Sequence, residues 1–235
     1  MSIMKSYPFI NPIIVSSDNC IIDGQHRLAV CDQNNCEVSY IQLEYNKDEL
    51  YDANCIEEII RIRDEQRKNL EKWFIKNKTG FLTQIELSAS DDKIGLFYKY
   101  RSKFNSAEKF TKTFRETYTQ SSNNYKNRYK IRELFSSKFI LRDHLMDKNE
   151  QELLMNLPND VIIHRGMSED EYNKGNYGVS WSLNKSVAEK FAFQYLHNYD
   201  TRTQKHLVKT ITIKKEDIVA YFNQRGEDEI IYIQK

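Results

Sequence analysis

The chain has little of what builds linkers, membrane spans or cross-links. Seven glycines and three prolines among 235 residues leave no room for a long flexible or low-complexity tract. No apolar run approaches the ~20 residues of a bilayer span, and the N-terminus lacks a charged segment followed by an apolar core. The expectation is therefore a protein without a membrane role, working in the cytoplasm of the cell that makes it. Cysteine is scarce and confined to Cys20, Cys31, Cys36 and Cys55, without the paired Cys-x-x-Cys spacing of a zinc site. Reduced thiols filling a small core are expected, and no metal. Neither a G-x-G-x-x-G string nor a G-x-x-x-x-G-K-[ST] string occurs, which argues against a Rossmann dinucleotide unit and a P-loop.

What the chain does have is 40% apolar and 29% charged residues, a balance suited to a folded domain with a buried core. The formal net charge of +1 conceals an asymmetry. Residues 93–142 hold thirteen Lys and Arg against three Glu, a local balance of +10, so the rest of the chain is acidic. Eleven aromatic residues, from Phe97 to Phe139, are interleaved with these cations. Two readings stand. Such a mixture suits single-stranded nucleic acid, through phosphate contacts and base stacking. It equally suits helices whose rings are core and whose cations are solvated, as the spacing of Phe110 and Phe114 indicates.

The pattern along the chain predicts an α+β fold in four parts. Residues 1–45 read as a small α+β unit, with strands at Pro12–Val15, Cys20–Ile22 and Glu37–Leu43 and a helix after Gly24 that turns Leu28 and Val30 inward. Residues 46–80 read as a connecting helix, with Ile56, Ile59, Ile60, Leu70, Trp73 and Phe74 near a 3.6-residue period. Residues 81–157 are the basic, aromatic helical region, broken around Gln120–Asn124. Residues 158–235 turn to short strands at Val161–His164, Val179–Leu183, His206–Ile213 and Glu229–Ile233. One amphipathic helix, Ser186–His197, is introduced by Asn184.

Three polar insertions mark that last part. Arg165 follows the apolar run Val161–His164 and precedes Gly166, which places a planar guanidinium beside a backbone that can be closely approached. Ser180 and Ser182 share one strand face, with Trp181 on the other. Glu227 and Glu229 would share a face with Asp228 opposite, and Glu229 opens the apolar run Ile230–Ile233, so its carboxylate is expected to be partly desolvated. A cation, two hydroxyls and carboxylates in one cleft suit a substrate carrying a pyrophosphate and a ribose. Taken singly, each is as readily a surface Arg, a polar strand face or an ion-pair partner.

In this order, with the helix Val187–Ala192 after Ser-x-Ser, residues 159–235 resemble the Arg-Ser-Glu class of mono-ADP-ribosyltransferases. Trp181 and His164 stand where that family often has threonine and an aromatic residue. The resemblance implies a split β-sheet core and NAD as substrate rather than redox carrier. It places Arg165 and Gly166 at NAD, with Ser180 and Ser182 supporting NAD binding and Ser180 orienting the catalytic glutamate. Glu229 would be that catalytic glutamate, and Glu227 would help activate the acceptor. Tyr177, Phe191 and Phe193 are candidates for stacking on nicotinamide, or for core. An enzyme of this kind acting where it is made is expected to be a toxin or anti-phage effector restrained by an inhibitory partner. Its acceptor is a macromolecule, with a lean to nucleic acid from the basic region. Glu-x-Glu pulls toward a protein arginine.

A second string, Ile21-Ile-Asp-Gly-Gln-His-Arg-Leu-Ala29, puts Gly24 at a strand-to-helix turn with His26 and Arg27 in the first helical turn, a natural phosphate site. It resembles DGQHR and ParB/sulfiredoxin-like modules over about 35 residues, fewer than the full module. That resemblance implies nucleotide or nucleic-acid binding through Asp23, Gly24, His26 and Arg27, or a scaffold that has lost it. A non-catalytic ParB-like binding protein is the competing class of function.

Overall fold

The computed structural model describes residues 12–23, 28, 39–50, 52–122, 124–194, 205–223 and 226–234. It is α+β and divides into two compact units, residues 1–80 and 81–235. Among the described residues no helix is long and apolar enough to cross a membrane.

In the first unit, β1 (Ile13–Val15) is flanked by β2 (Ile21–Asp23), antiparallel, and β3 (Tyr40–Gln42), parallel. The β1–β2 turn uses Asn19 at φ 62, a left-handed conformation that asparagine tolerates. Helix α1 (Ala53–Lys76) starts at Asp52, whose carboxylate accepts from the Asn54 N–H, and ends before Lys78 at φ 48. Its buried stripe is Cys55, Ile59, Ile62, Gln66, Leu70 and Phe74, spaced by three or four residues, whereas Ile60 is exposed. Ile59 and Ile62 join Ile14, Leu43 and Cys55 in one core. The helix expected as a connection is thus part of the core of this unit. Cys55 is a buried thiol, as expected of a small core, while Cys31 and Cys36 lie outside the described residues.

The second unit joins the basic helices to a five-stranded sheet. Helices α2 (Phe81–Leu87), α3 (Lys93–Tyr100), α4 (Ala107–Thr119) and α5 (Arg128–Phe135) precede α6 (Arg142–Leu145) and α7 (Lys148–Asn156). Ser106 caps α4, and Phe110, Phe114 and Tyr118 recur every fourth residue along it. These rings meet Phe97, Phe104 and Phe135 at centroid distances of 4.8–5.4 Å, tilted or edge-on, and the cluster continues into the sheet through Ile230 and Ile231. Most of the aromatic signal of this region is therefore core.

Lys93 is the most deeply buried of the region's cations. It is 7% exposed, and its ammonium donates to the carbonyls of Ile85 (3.1 Å) and Glu86 (2.7 Å) at the C-terminal end of α2. Burial lowers its pKa from 10.5 to about 8. Below pH 8 both folded and unfolded states are protonated, and the desolvation cost stands in full. Between about 8 and 10.5 the native state sheds its proton first, so unfolding takes one up and stability rises with pH. Denaturant unfolding of wild type and Lys93→Met across this window should show the difference moving in favour of wild type, by up to about 3 kcal/mol.

The sheet runs β6 (His206–Lys214), β4 (Asp160–Ser168), β5 (Ser180–Ser182), β8 (Glu229–Tyr232), β7 (Ile218–Phe222), with all neighbours antiparallel. β4 is longer than the Val161–His164 run expected from hydropathy, because it pairs over nine residues with β6. Arg165 is consequently mid-strand rather than at its end. Helix α8 (Glu169–Lys174), capped by Ser168 and closed by Gly175 at φ 65, and strand β7 carry weak periodic signals and were not expected. Helix α9 (Lys185–Phe193) begins at Asn184, whose side chain accepts from the Ser186 N–H.

α9 crosses β4 at Gly166. A Cβ there would lie 2.2 Å from the Ala188 carbonyl oxygen and 2.6 Å from the Ala192 nitrogen. The close approach that this glycine permits is that of α9, not of a ligand to the strand.

Candidate active site

Strands β4, β5 and β8 are adjacent, so the three motifs at 165, 180–182 and 229 meet. His164 is paired with Ser182, and Ser182 with Glu229. Trp181 is 2% exposed and its ring packs edge-on against Tyr177 and Tyr232, as expected for the residue facing away from the serines. His164 is bonded instead to Thr210 of β6, Nδ1 to Oγ1 at 2.8 Å.

Arg165 does not project into open space. Its Nε donates to Glu171 Oε1 at 2.8 Å and one terminal nitrogen to Glu171 Oε2 at 3.3 Å. The other donates to the Ser180 carbonyl at 2.6 Å. Side-chain exposures of 13% and 5% make this a largely buried, bidentate ion pair. Glu171 also accepts from the Gly178 N–H at 2.9 Å. A Cβ on Gly178 would sit 2.4 Å from the guanidinium, so glycine is required for the arginine to lie across the strand entry. Arg165 thereby fixes the path of the chain into β5.

The two serines differ in role. Ser182 is buried, and its hydroxyl donates to the Glu227 carbonyl (2.7 Å) while accepting from the Asn184 N–H (2.9 Å). It ties the start of α9 to the turn before β8. Glu227 lies in that turn and not on the strand. Asp228 at φ 46 breaks the alternation that would have put both glutamates on one face. The Asp228 carboxylate accepts from the Tyr221 hydroxyl at 2.6 Å, and burial together with this carboxylate pushes the Tyr221 phenol up.

Glu229 has a partner that the sequence pattern did not single out. Tyr118, on α4 and 2% exposed, donates its hydroxyl to Glu229 Oε1 at 2.8 Å. Ser180 and the Arg165 charge act on the same phenol in the direction of a lower pKa. Desolvation first, then the Glu229 charge, raise the Tyr118 pKa well above 10, so the phenol is a neutral donor. Signal for it existed in the sequence: in the series Phe110, Phe114, Tyr118 the last ring carries a hydroxyl, and a buried phenol needs a partner.

A second polar node holds α4 in place. Glu150, 3% exposed, accepts from Arg115 (2.8 Å), from the Asp147 N–H that it caps (2.9 Å) and from the Asn223 N–H at the end of β7 (3.1 Å). Phe222, paired with Glu229 across the sheet, lies beneath the Tyr118 ring at 5.9 Å.

The other candidates are placed differently. Tyr177 is core, its hydroxyl bonded by Lys209 at 2.9 Å, and Phe191 and Phe193 are exposed on α9. Asp23 ends β2, with its carboxylate 3.6 Å from Arg63, and Gly24, His26 and Arg27 lie outside the described residues. Of the rings outside the core, several have their faces covered by the region's own cations. Arg101 lies over Tyr98 at 3.7 Å, Arg128 over Tyr125 and Tyr129 at 4.3 and 4.5 Å, and Lys103 over Tyr100 at 4.9 Å. No family model, no curated protein and no solved structure matches this chain.

Proposed function

We propose that the chain is an NAD-dependent ADP-ribosyltransferase. The observation that carries this reading is the meeting of Arg165, Ser180 and Glu229 on three adjacent strands around one buried phenol, from motifs 64 residues apart in sequence. In the reaction the bond between nicotinamide nitrogen and ribose C1′ breaks, and its electron pair leaves with neutral nicotinamide. The ribose becomes oxocarbenium-like, and an acceptor nucleophile forms the new bond at C1′ and loses a proton. Glu229 supplies the carboxylate that holds a ribose hydroxyl and stabilises the developing positive charge. Three of the five N–H groups of Arg165 are engaged by Glu171 and Ser180. The remaining two are those assigned to NAD phosphate oxygens.

The acceptor we infer is a nucleic acid, contacted mainly through phosphates, since most of the region's rings are core and several others already carry one of its own cations. Such contacts should weaken steeply between about 50 and 200 mM salt, read by anisotropy of a labelled single-stranded oligonucleotide. A flat response returns residues 93–142 to a structural role. An enzyme of this type, active where it is made, calls for an inhibitory partner.

The deciding experiment incubates wild type and Glu229→Ala with NAD labelled in its adenylate and a whole-cell lysate. Wild type alone should transfer label. Nuclease and protease treatment then identify the acceptor, and label removed by protease alone would replace nucleic acid by a protein side chain. If neither NAD loss nor label transfer depends on Glu229, the enzymatic reading fails and a ParB-like binding protein takes its place.

A further inference from the structure

Resting on the transferase reading, we propose that Tyr118 is a positioning residue of this site, its hydroxyl holding the Glu229 carboxylate. Tyr118 comes from α4, outside the strands that carry the Arg, Ser and Glu motifs, and 111 residues before its partner. The bond to Glu229 Oε1 is of ordinary length, 2.8 Å, and ends in a carboxylate. The ring is held on three sides, by Phe114, Phe135 and Phe222 at 6.2, 5.2 and 5.9 Å, so the hydroxyl has little freedom to turn away.

Among the described residues, Arg165 faces this pair from β4 and Ser180 from β5, while Asp228 is engaged with Tyr221 and Arg115 with Glu150. The raised Tyr118 pKa agrees with a phenol that stays protonated through the working range. Bound to Oε1, the phenol fixes the direction in which the carboxylate points. It also favours the ionised form of Glu229, the form needed to stabilise a cationic sugar. Tyr118 itself touches no reacting atom in this scheme.

The test is Tyr118→Phe in the full chain, which removes one oxygen and keeps the ring. Expected for NAD cleavage is a fall in kcat of about tenfold to a hundredfold with KM changed less than about twofold. The acid limb of the kcat/KM profile should move to higher pH, because the carboxylate has lost a donor. Thermal unfolding separates folding from positioning. A variant with wild-type kcat per folded molecule and an unmoved acid limb overturns the proposal, as does a loss confined to KM. If Glu229→Gln keeps wild-type NAD cleavage, the underlying reading falls, and Tyr118 with it. If Glu229→Gln is dead and Tyr118→Phe is unchanged, Tyr118 alone is refuted.

Discussion

Glu229→Gln is expected to lower NAD cleavage by about a thousandfold or more while leaving the protein folded. The substitution removes a charge and one acceptor character but keeps the size of the side chain and its carbonyl oxygen. The Tyr118 hydroxyl, which donates to Oε1 at 2.8 Å, can still donate to an amide oxygen. The strand register with Ser182 and Phe222 rests on backbone bonds, and is unaffected. What is lost is the negative charge beside the ribose, and a stabilising carboxylate in a partly desolvated site accounts for several kcal/mol of barrier. Nicotinamide release measured by chromatography, with thermal unfolding as the folding control, gives the answer. Full activity in a folded Glu229→Gln protein would remove Glu229 from the chemistry.

The second large effect is on stability. Glu171→Ala should destabilise the second unit by about 3–5 kcal/mol, because it leaves the largely buried Arg165 charge without its bidentate partner. The Gly178 N–H loses its acceptor in the same step. Denaturant unfolding should show the loss as an earlier midpoint. Arg165→Met together with Glu171→Ala should recover much of it, since the uncompensated charge is gone. A Glu171→Ala protein as stable as wild type would mean that Arg165 is solvated, and that its fork is available in full to a ligand.

These two results bear on how much was legible in the sequence. The strands around Ser180 and Glu229, the inward Trp181, the Asn184 cap and the helical aromatics of α4 all follow from local periodicity and capping. Glu227 was misplaced because alternation presumes extended backbone, and Asp228 departs from it at φ 46. Glu171 was invisible within the charged run Ser168–Glu171, where its burial depends on a six-residue helix, an arginine three residues before the helix cap Ser168 and a glycine seven residues after Glu171 itself. Tyr118 was one of eleven interleaved rings read either as core or as a stacking surface, and the core reading fits its ring but leaves out its hydroxyl. What local patterns could not supply was the partner, since a contact across 111 residues is set by the sheet order and not by spacing.

The sheet order has a consequence for how the protein is made. β8 is inserted between β5 and β7, although it is the last of the three in sequence. During synthesis Arg165, Ser180 and Tyr118 emerge first, and no carboxylate can reach the phenol until residues 229–232 have left the ribosome and found the gap. A topology in which the central strand arrives last, over long sequence separations, folds slowly. A nascent chain therefore completes this sheet only when β8 has entered between β5 and β7, and the Tyr118–Glu229 bond is among the last contacts of the second unit to form.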